Sequence, residues 1–286
     1  MRLRIVHQTR YRYNKEVHFG PHRLVLRPRE GHDLRVESME VRIEPAAQLT
    51  WSRDVFGNSV ATVEFEEPAE EMLIESNVLI VRMSPVTKRK AALREGVTPW
   101  PPVYDPLEQV AVKSYQKPSY PKDADVVSKW LENFRIKKPD YAEDVARNLN
   151  EFIYDELRYI RREEKGVLTP AQTLERGGGS CRDLATLLLE AARSLGVAAR
   201  FASGYLECQA AVLGEASTHA WAEIYLPGRG WEGYDPSIGE ETTSRHVVTG
   251  VSNHPRGVMP VSGSFFGKAS AFEEMLIAVT VRPEAP

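Results

Sequence analysis

The sequence predicts an α+β protein: a small antiparallel β-sandwich, then a core in which one amphipathic helix packs on an antiparallel sheet. Three observations carry this. Residues 1–83 alternate apolar and polar side chains in short, dense segments. Prolines crowd residues 84–121. Beyond them, helical periodicity runs as far as Gly196 and then gives way to three strand-like stretches. With 286 residues, 42% hydrophobic and 27% charged, the chain can build its core without a disulfide or metal staple.

In the first region RLRIVHQTRYRY, LRVESMEVRIEP, NSVATVEFEE and EMLIESNVLIVRM read as strands, with turn signals at Asn14, Gly20–Pro21, Gly31 and Gly57–Asn58. From Pro85 to Pro121 proline opposes regular structure. That stretch reads as a connection wrapped on the second domain, with a short helix near Pro106–Lys113. ADVVSKWLENF (124–134) and YAEDVARNLNEFIYDELRY (141–159) carry apolar residues at three- and four-residue intervals and predict helices. Thr169 caps PAQTLERG, with Pro170 at its first position and Gly177 as its stop. From Cys181, Leu184, Leu187, Leu188, Ala191 and Leu195 line one helical face before Gly196. Ser180 is the N-cap, and Asp183 three residues on completes a capping-box pattern. ARFASGYLE (199–207), THAWAEIYL (218–226) and GWEGYD (230–235) read as strands. The division is therefore 1–83, a β-sandwich domain; 84–121, a proline-rich connection; 122–245, the core; and 246–286, a C-terminal segment returning as a strand to a sheet.

A net charge of −3 and a pI near 6.2 give no reason to expect nucleic acid or an anionic membrane as partner. No apolar run approaches the roughly 20 residues of a membrane span, and MRLRIVHQTRYRY holds no signal-peptide core, so a cytoplasmic location is expected. Two cysteines form no framework and no CxxC pair, so neither a metal nor another cofactor is expected. A Cys181–Cys208 bridge is the one pairing available, and a reducing compartment argues against it.

Cys181 follows Gly-Gly-Gly-Ser at a helix start. Free N–H groups and the positive end of the helix dipole favour a thiolate there, and the thiolate is the nucleophile. A flexible Gly177–Gly179 loop would admit a substrate backbone, and the Cys181 N–H could bond an oxyanion. A buried structural cysteine is the plain alternative. Thiol acyl transfer needs an imidazole and a group to orient it. The chain offers His219, His246 and His254 after Cys181. His219 opens one predicted strand and Asp235 closes the next, so a hairpin makes them cross-strand neighbours, with Pro236 aiming the turn. Glu223 shares the His219 face but lies about 6.6 Å along the strand, so Asp235 is favoured. Cys208 reads as a bystander, the N-terminal histidines as packing or surface residues, and Lys88–Lys90 as a solvated linker face.

Gly-Gly-Ser-Cys181-Arg-Asp, Ser-Gly-Tyr205, Thr-His219-Ala-Trp221-Ala-Glu and Gly-Trp231-x-x-Tyr-Asp235-Pro236, in that order, resemble the transglutaminase-like superfamily. HQTRYRY, RLVLRPRE and DVFGNSV resemble the β-domain that precedes this core in bacterial members. The resemblance implies a papain-like core, a catalytic Cys181–His219–Asp235 triad, and a cysteine protease or transamidase acting on a peptide or protein amide through a thioester. The alternative it allows is a scaffold whose triad is vestigial. Trp221 and Trp231 match the pattern and read as packing around the triad. No EF-hand calcium loop is present, so calcium dependence does not carry over. A second oxyanion donor is implied on the helix upstream of the cysteine, where Asn150, Tyr154 and Tyr159 stand, each reading first as packing or surface. Substrate specificity is expected in 207–217 and 84–121, and the substrate-binding residues are unknown.

Overall fold

A computed structural model describes residues 1–83, 98–134, 139–162, 164, 166–207 and 218–284. In chain order its elements are β1 (Arg2–Phe19), β2 (His22–Leu24), β3 (Leu34–Glu44), β4 (Ala47–Arg53), β5 (Ser59–Phe65), β6 (Ala69–Arg82), α1 (Gln109–Gln116), α2 (Ala124–Leu131), α3 (Ala142–Glu156), β7 (Arg158–Tyr159), α4 (Pro170–Arg176), β8 (Gly178–Gly179), α5 (Cys181–Ser194), β9 (Ala199–Leu206), β10 (Thr218–Leu226), β11 (Gly230–Asp235), β12 (Glu240–Glu241), β13 (His246–Ser252), β14 (Val261–Ser262), β15 (Phe265–Phe266) and β16 (Phe272–Glu284).

Two antiparallel sheets, β15-β1-β6-β3 with β16 on the β1 edge and β14-β2-β5-β4, enclose one apolar core of Tyr13, Val17, Phe19, Leu24, Val63, Met72 and Ile74. The last residues of the chain complete both sheets: β16 pairs with β1 from Arg2↔Glu284 to Tyr13↔Phe272, and β14 pairs with β2. Asn14, expected in a turn, lies inside β1. The strand runs on because the ladder absorbs the irregularity as a register shift beside Arg12, and Asn14 Nδ2 donates to the Ser270 carbonyl.

The second unit is a five-stranded antiparallel sheet, β12-β11-β10-β9-β13, with α5 packed on it. α5 is buried on almost every side, because α2, α3 and α4 cover the flank that the sheet leaves open. Three charges go down with it, Asp183, Glu190 and Arg193, and find partners: Arg193 donates to Glu190 at 2.9 Å and to the carbonyls of Tyr115, Ala199 and Asn253. Residues 98–121 wrap this unit. Tyr104 accepts the Ala198 N–H at 2.9 Å and stacks on Tyr225, and Ser119 N–H donates to Glu190. The helix there starts at Gln109 rather than near Pro106, because Asp105 folds residues 105–108 into a turn by accepting the Leu107 and Glu108 N–H groups. Residues 84–97, including Lys88–Lys90, lie outside the described residues.

Leu3, Ile5, Val78 and Ile80 of the first unit pack against Tyr205 and Val247 of the second. Asn58, fully buried, joins them by accepting the Val251 N–H at 2.9 Å and donating to the Val251 carbonyl at 2.8 Å. Asn58→Leu leaves both backbone groups unpaired, at roughly 1–3 kcal/mol each. The expected result is a lower melting temperature in thermal unfolding, with α5 and its sheet retained by circular dichroism.

Candidate active site

Cys181 is the first residue of α5, buried, a free thiol. Its partner in the proposed bridge, Cys208, lies outside the described residues. The helix start is held from below. Asp183, fully buried, accepts the Ser180 N–H and hydroxyl at 2.8 Å each, the Leu168 N–H at 2.8 Å, and Arg162 at 2.8 Å. Burial works against its charge, but these donors hold its carboxyl below the usual range. So the loop before α4 is strapped to the turn that carries Cys181.

The three glycines differ from the flexible substrate path expected of them. Gly177 is the left-handed C-cap of α4, at φ 68°. Gly178 and Gly179 are buried and pair in parallel with Arg158 and Tyr159. A Cβ on Gly178 would stand 2.2 Å from the Arg158 carbonyl oxygen, and one on Gly179 would stand 2.6 Å from Asp183 Cβ. Gly177 is small for its left-handed backbone, Gly178 because the Arg158 backbone is pressed against it, and Gly179 because the Asp183 side chain is.

His219 is the second residue of β10 and Asp235 the last of β11. Their ladder ends at Ala222↔Tyr234. One step on, Asp235 faces Trp221, and His219 lies two residues further on the same face. The pair is therefore diagonal rather than directly opposed, which is still within reach of an imidazole. His219 Nε2 donates to Asp235 Oδ2 at 2.5 Å. Cys181 lies close enough to the same ring to help raise its pKa, and with Nε2 taken by Asp235, Nδ1 is the nitrogen left for the sulfur. Burial opposes charge on His219, but Asp235 and Cys181 together push its pKa up to about 10. Asp235 is also buried, and its hydrogen bonds to His219, His246 and Ser237 hold it well below the usual carboxylate range.

Glu223 takes Arg200 at 2.7 Å, its direct cross-strand neighbour, and so does not orient His219. Trp221 is buried against both His219 and His246, with ring centroids 6.2 and 5.1 Å apart. Gly204, across from His219, makes room for it: a Cβ there would meet the Trp221 ring at 3.0 Å and the Val247 carbonyl at 2.0 Å. Trp231 is not packing around this site. It lies near the turn end of the hairpin, under the Arg200 guanidinium at 4.0 Å and against Tyr115 and Tyr225. A shallow surface concavity lined by Tyr104–Glu108, Pro227 and Gly228 also sits at that turn end, away from His219.

His246 is the residue that sequence spacing missed. Its Nε2 lies 3.3 Å from Asp235 Oδ2, and its Nδ1 accepts the Thr243 N–H at 3.1 Å. His219, Asp235 and His246 present ligand atoms within 4.8 Å of one another. A cation does not suit them, because the Thr243 N–H leaves the His246 proton on Nε2, the atom that a metal would need bare. Of the three residues upstream, Asn150 is buried and donates to the Glu240 carbonyl, and the Tyr154 ring lies against Gly239. Tyr159, beside Gly179, is half exposed. Burial first, then the neighbouring Cys181, raises its hydroxyl pKa.

Residues 3–81 match the bacterial transglutaminase-like N-terminal region, and residues 129–236 match the transglutaminase-like superfamily. An uncharacterized protein of Mycobacterium tuberculosis is 29% identical over 294 residues, covering 98% of this chain and 91% of its own. One of Mycobacterium leprae is 25% identical over 283 residues, covering 98% of both. The crystal structure of a candidate cysteine protease from Cytophaga hutchinsonii superposes with a TM-score of 0.72 at 16% identity, over 100% of this chain and 92% of its own, which shows a common fold. The core match holds Cys181, His219 and Asp235 and ends at Pro236, before His246.

Proposed function

Because this chain belongs to the transglutaminase-like superfamily, we propose that it is a thiol-dependent amide hydrolase or acyltransferase working through Cys181, His219 and Asp235. One observation carries the reading: a partly buried imidazole gives Nε2 to a buried carboxylate, with Cys181 near enough to help raise its pKa. That is the order of groups that nucleophilic acyl transfer requires.

In the resting pair the Cys181 proton lies on His219 Nδ1, and the thiolate sulfur attacks the amide carbonyl carbon. Cys181 opens α5, so its N–H has no intrahelical acceptor and points at the developing oxyanion. His219 then delivers the proton to the leaving nitrogen, the C–N bond breaks, and a thioester remains. Water or an amine attacks the thioester while His219 takes the incoming proton and returns it to sulfur. Asp235 holds the His219 proton on Nε2 and balances the imidazolium.

Tyr159 is the second oxyanion donor in this proposal, because it pairs with Gly179, two residues before Cys181, and its side chain is exposed. Tyr159→Phe is expected to lower kcat by about 10²-fold with KM little changed, as steady-state kinetics would read.

The test is trapping. The protein is incubated with a peptide-amide library, with and without a primary amine, and adducts are mapped by mass spectrometry. An acyl adduct on Cys181 that disappears in Cys181→Ala is expected, and release as acid or as amide tells hydrolysis from transamidation. Cleavage that survives Cys181→Ala would end the proposal.

A further inference from the structure

We propose that His246 is a positioning residue for this site: bound to Asp235 on a fully buried oxygen, it fixes the carboxylate that in turn fixes His219. The proposal rests on the reading of Cys181, His219 and Asp235 as the reacting set, and it lies outside the part of the chain that the family match covers.

The Asp235 carboxylate has two acceptor positions on each oxygen, and each is filled. Oδ2 takes His219 Nε2–H at 2.5 Å and His246 Nε2–H at 3.3 Å. Oδ1 takes the Ser237 N–H at 3.0 Å and the Ser237 hydroxyl at 2.6 Å. Asp235 is fully buried, so no solvent competes for these positions. Ser237 alone would leave the Oδ2 side held by His219 only, the very ring that must be aimed. His246 supplies an independent anchor on that oxygen.

His246 is built to be a donor there and nothing else. Thr243 N–H donates to its Nδ1, which puts the ring proton on Nε2. Trp221 packs against its ring at 5.1 Å, and Arg82 donates to its carbonyl oxygen at 2.7 Å, so both ring and backbone are pinned. The ring is buried and its Nε2 faces Asp235, so it meets neither substrate nor sulfur. The titratable and charged groups around it are Asp235 on β11, His219 on β10 and Arg82 on β6.

Two near-isosteric variants separate this role from a structural one. His246→Gln keeps an N–H donor at the Nε2 position and loses the acceptor for Thr243. His246→Asn keeps the Thr243 acceptor and loses the donor to Asp235. Proton NMR of the full chain reads the His219 Nε2–H resonance directly, with no substrate. That resonance is expected to persist in the wild type and His246→Gln, and to shift or broaden in His246→Asn and in His246→Leu. Iodoacetamide alkylation of Cys181 at pH 6 should fall about tenfold in the Asn and Leu variants and stay within about twofold of wild type in Gln. An unchanged resonance in Asn and Leu overturns the proposal. So does a Gln variant that behaves like Asn. If the resonance follows His246 as described while wild-type Cys181 is no more reactive than a simple thiol, the positioning role stands and the acyl-transfer reading falls.

Discussion

At pH 6, iodoacetamide is expected to alkylate Cys181 at least about tenfold faster than it alkylates a simple thiol, and His219→Ala is expected to remove the difference. A cysteine of ordinary pKa near 8.5 is only about 0.3% thiolate at that pH. His219, pushed up to about 10, stays an imidazolium throughout the neutral range, the charge that a thiolate at Cys181 would pair with. In general, a thiol whose proton rests on a neighbouring imidazole gains up to about 300-fold in thiolate population over a free one at this pH. Part of the gain is lost because a better-stabilised thiolate is a weaker nucleophile. About an order of magnitude survives. In His219→Ala the helix terminus remains but the proton acceptor does not, so the comparison isolates the imidazole from the dipole. Peptide mapping must place the adduct on Cys181 rather than Cys208. A Cys181 no faster than the simple thiol, or one indifferent to His219→Ala, excludes the ion pair and the mechanism that starts from it.

The second large effect is at Asp235. Asp235→Asn is expected to lower kcat/KM on an amide substrate by about 10³–10⁴. The reason is in the acceptor pattern. His219 and His246 both donate to Oδ2, and Ser237 donates twice to Oδ1. An amide has one acceptor atom to serve four donors. With its oxygen toward Ser237, its NH2 faces His219 Nε2 and drives the ring proton to Nδ1, the atom that must receive the thiol proton. With its oxygen toward the histidines, its NH2 meets the Ser237 N–H. The pH profile gives the sign. In the proposed reaction His219 must carry a proton to expel the leaving amine, and beside Asp235 it keeps that proton until pH rises through about 10. Without the carboxylate charge, burial dominates and the alkaline limb of kcat/KM moves to lower pH. An Asn variant that keeps activity within tenfold, with its alkaline limb in place, would exclude this role for Asp235.

These residues were not equally legible in the sequence. Helix α5 could be read from Ser180, the Leu184–Leu195 periodicity and Gly196, all of which are local signals. The β10 and β11 strands and their short Pro227–Arg229 connection were legible for the same reason, and the hairpin makes contact between His219 and Asp235 nearly unavoidable. Arg200, which claims Glu223, comes from another strand, and no spacing rule reaches it. Trp231 matched a motif, yet strand pairing with Tyr225 carries it to the far end of the hairpin. The Gly177–Gly179 run was visible as a signal, but its cause was not, because Arg158 comes from a strand 20 residues upstream of Gly178. Asn14 looked like a turn because its own preferences were read without its side-chain bond to the Ser270 carbonyl and the β6 ladder that resumes at Val17.

By itself, the sequence determined the α+β class, the helix that opens on Cys181, and the hairpin that joins His219 to Asp235, because periodicity, caps and turn residues act over a few residues at a time. The tertiary structure alone decided that the chain's last strand closes its first sheet, that Asp183 and Arg162 clamp the helix start, and that His246 comes to rest on Asp235. Those contacts depend on which buried polar atoms are left needing partners once the chain has packed, a quantity that no local pattern encodes.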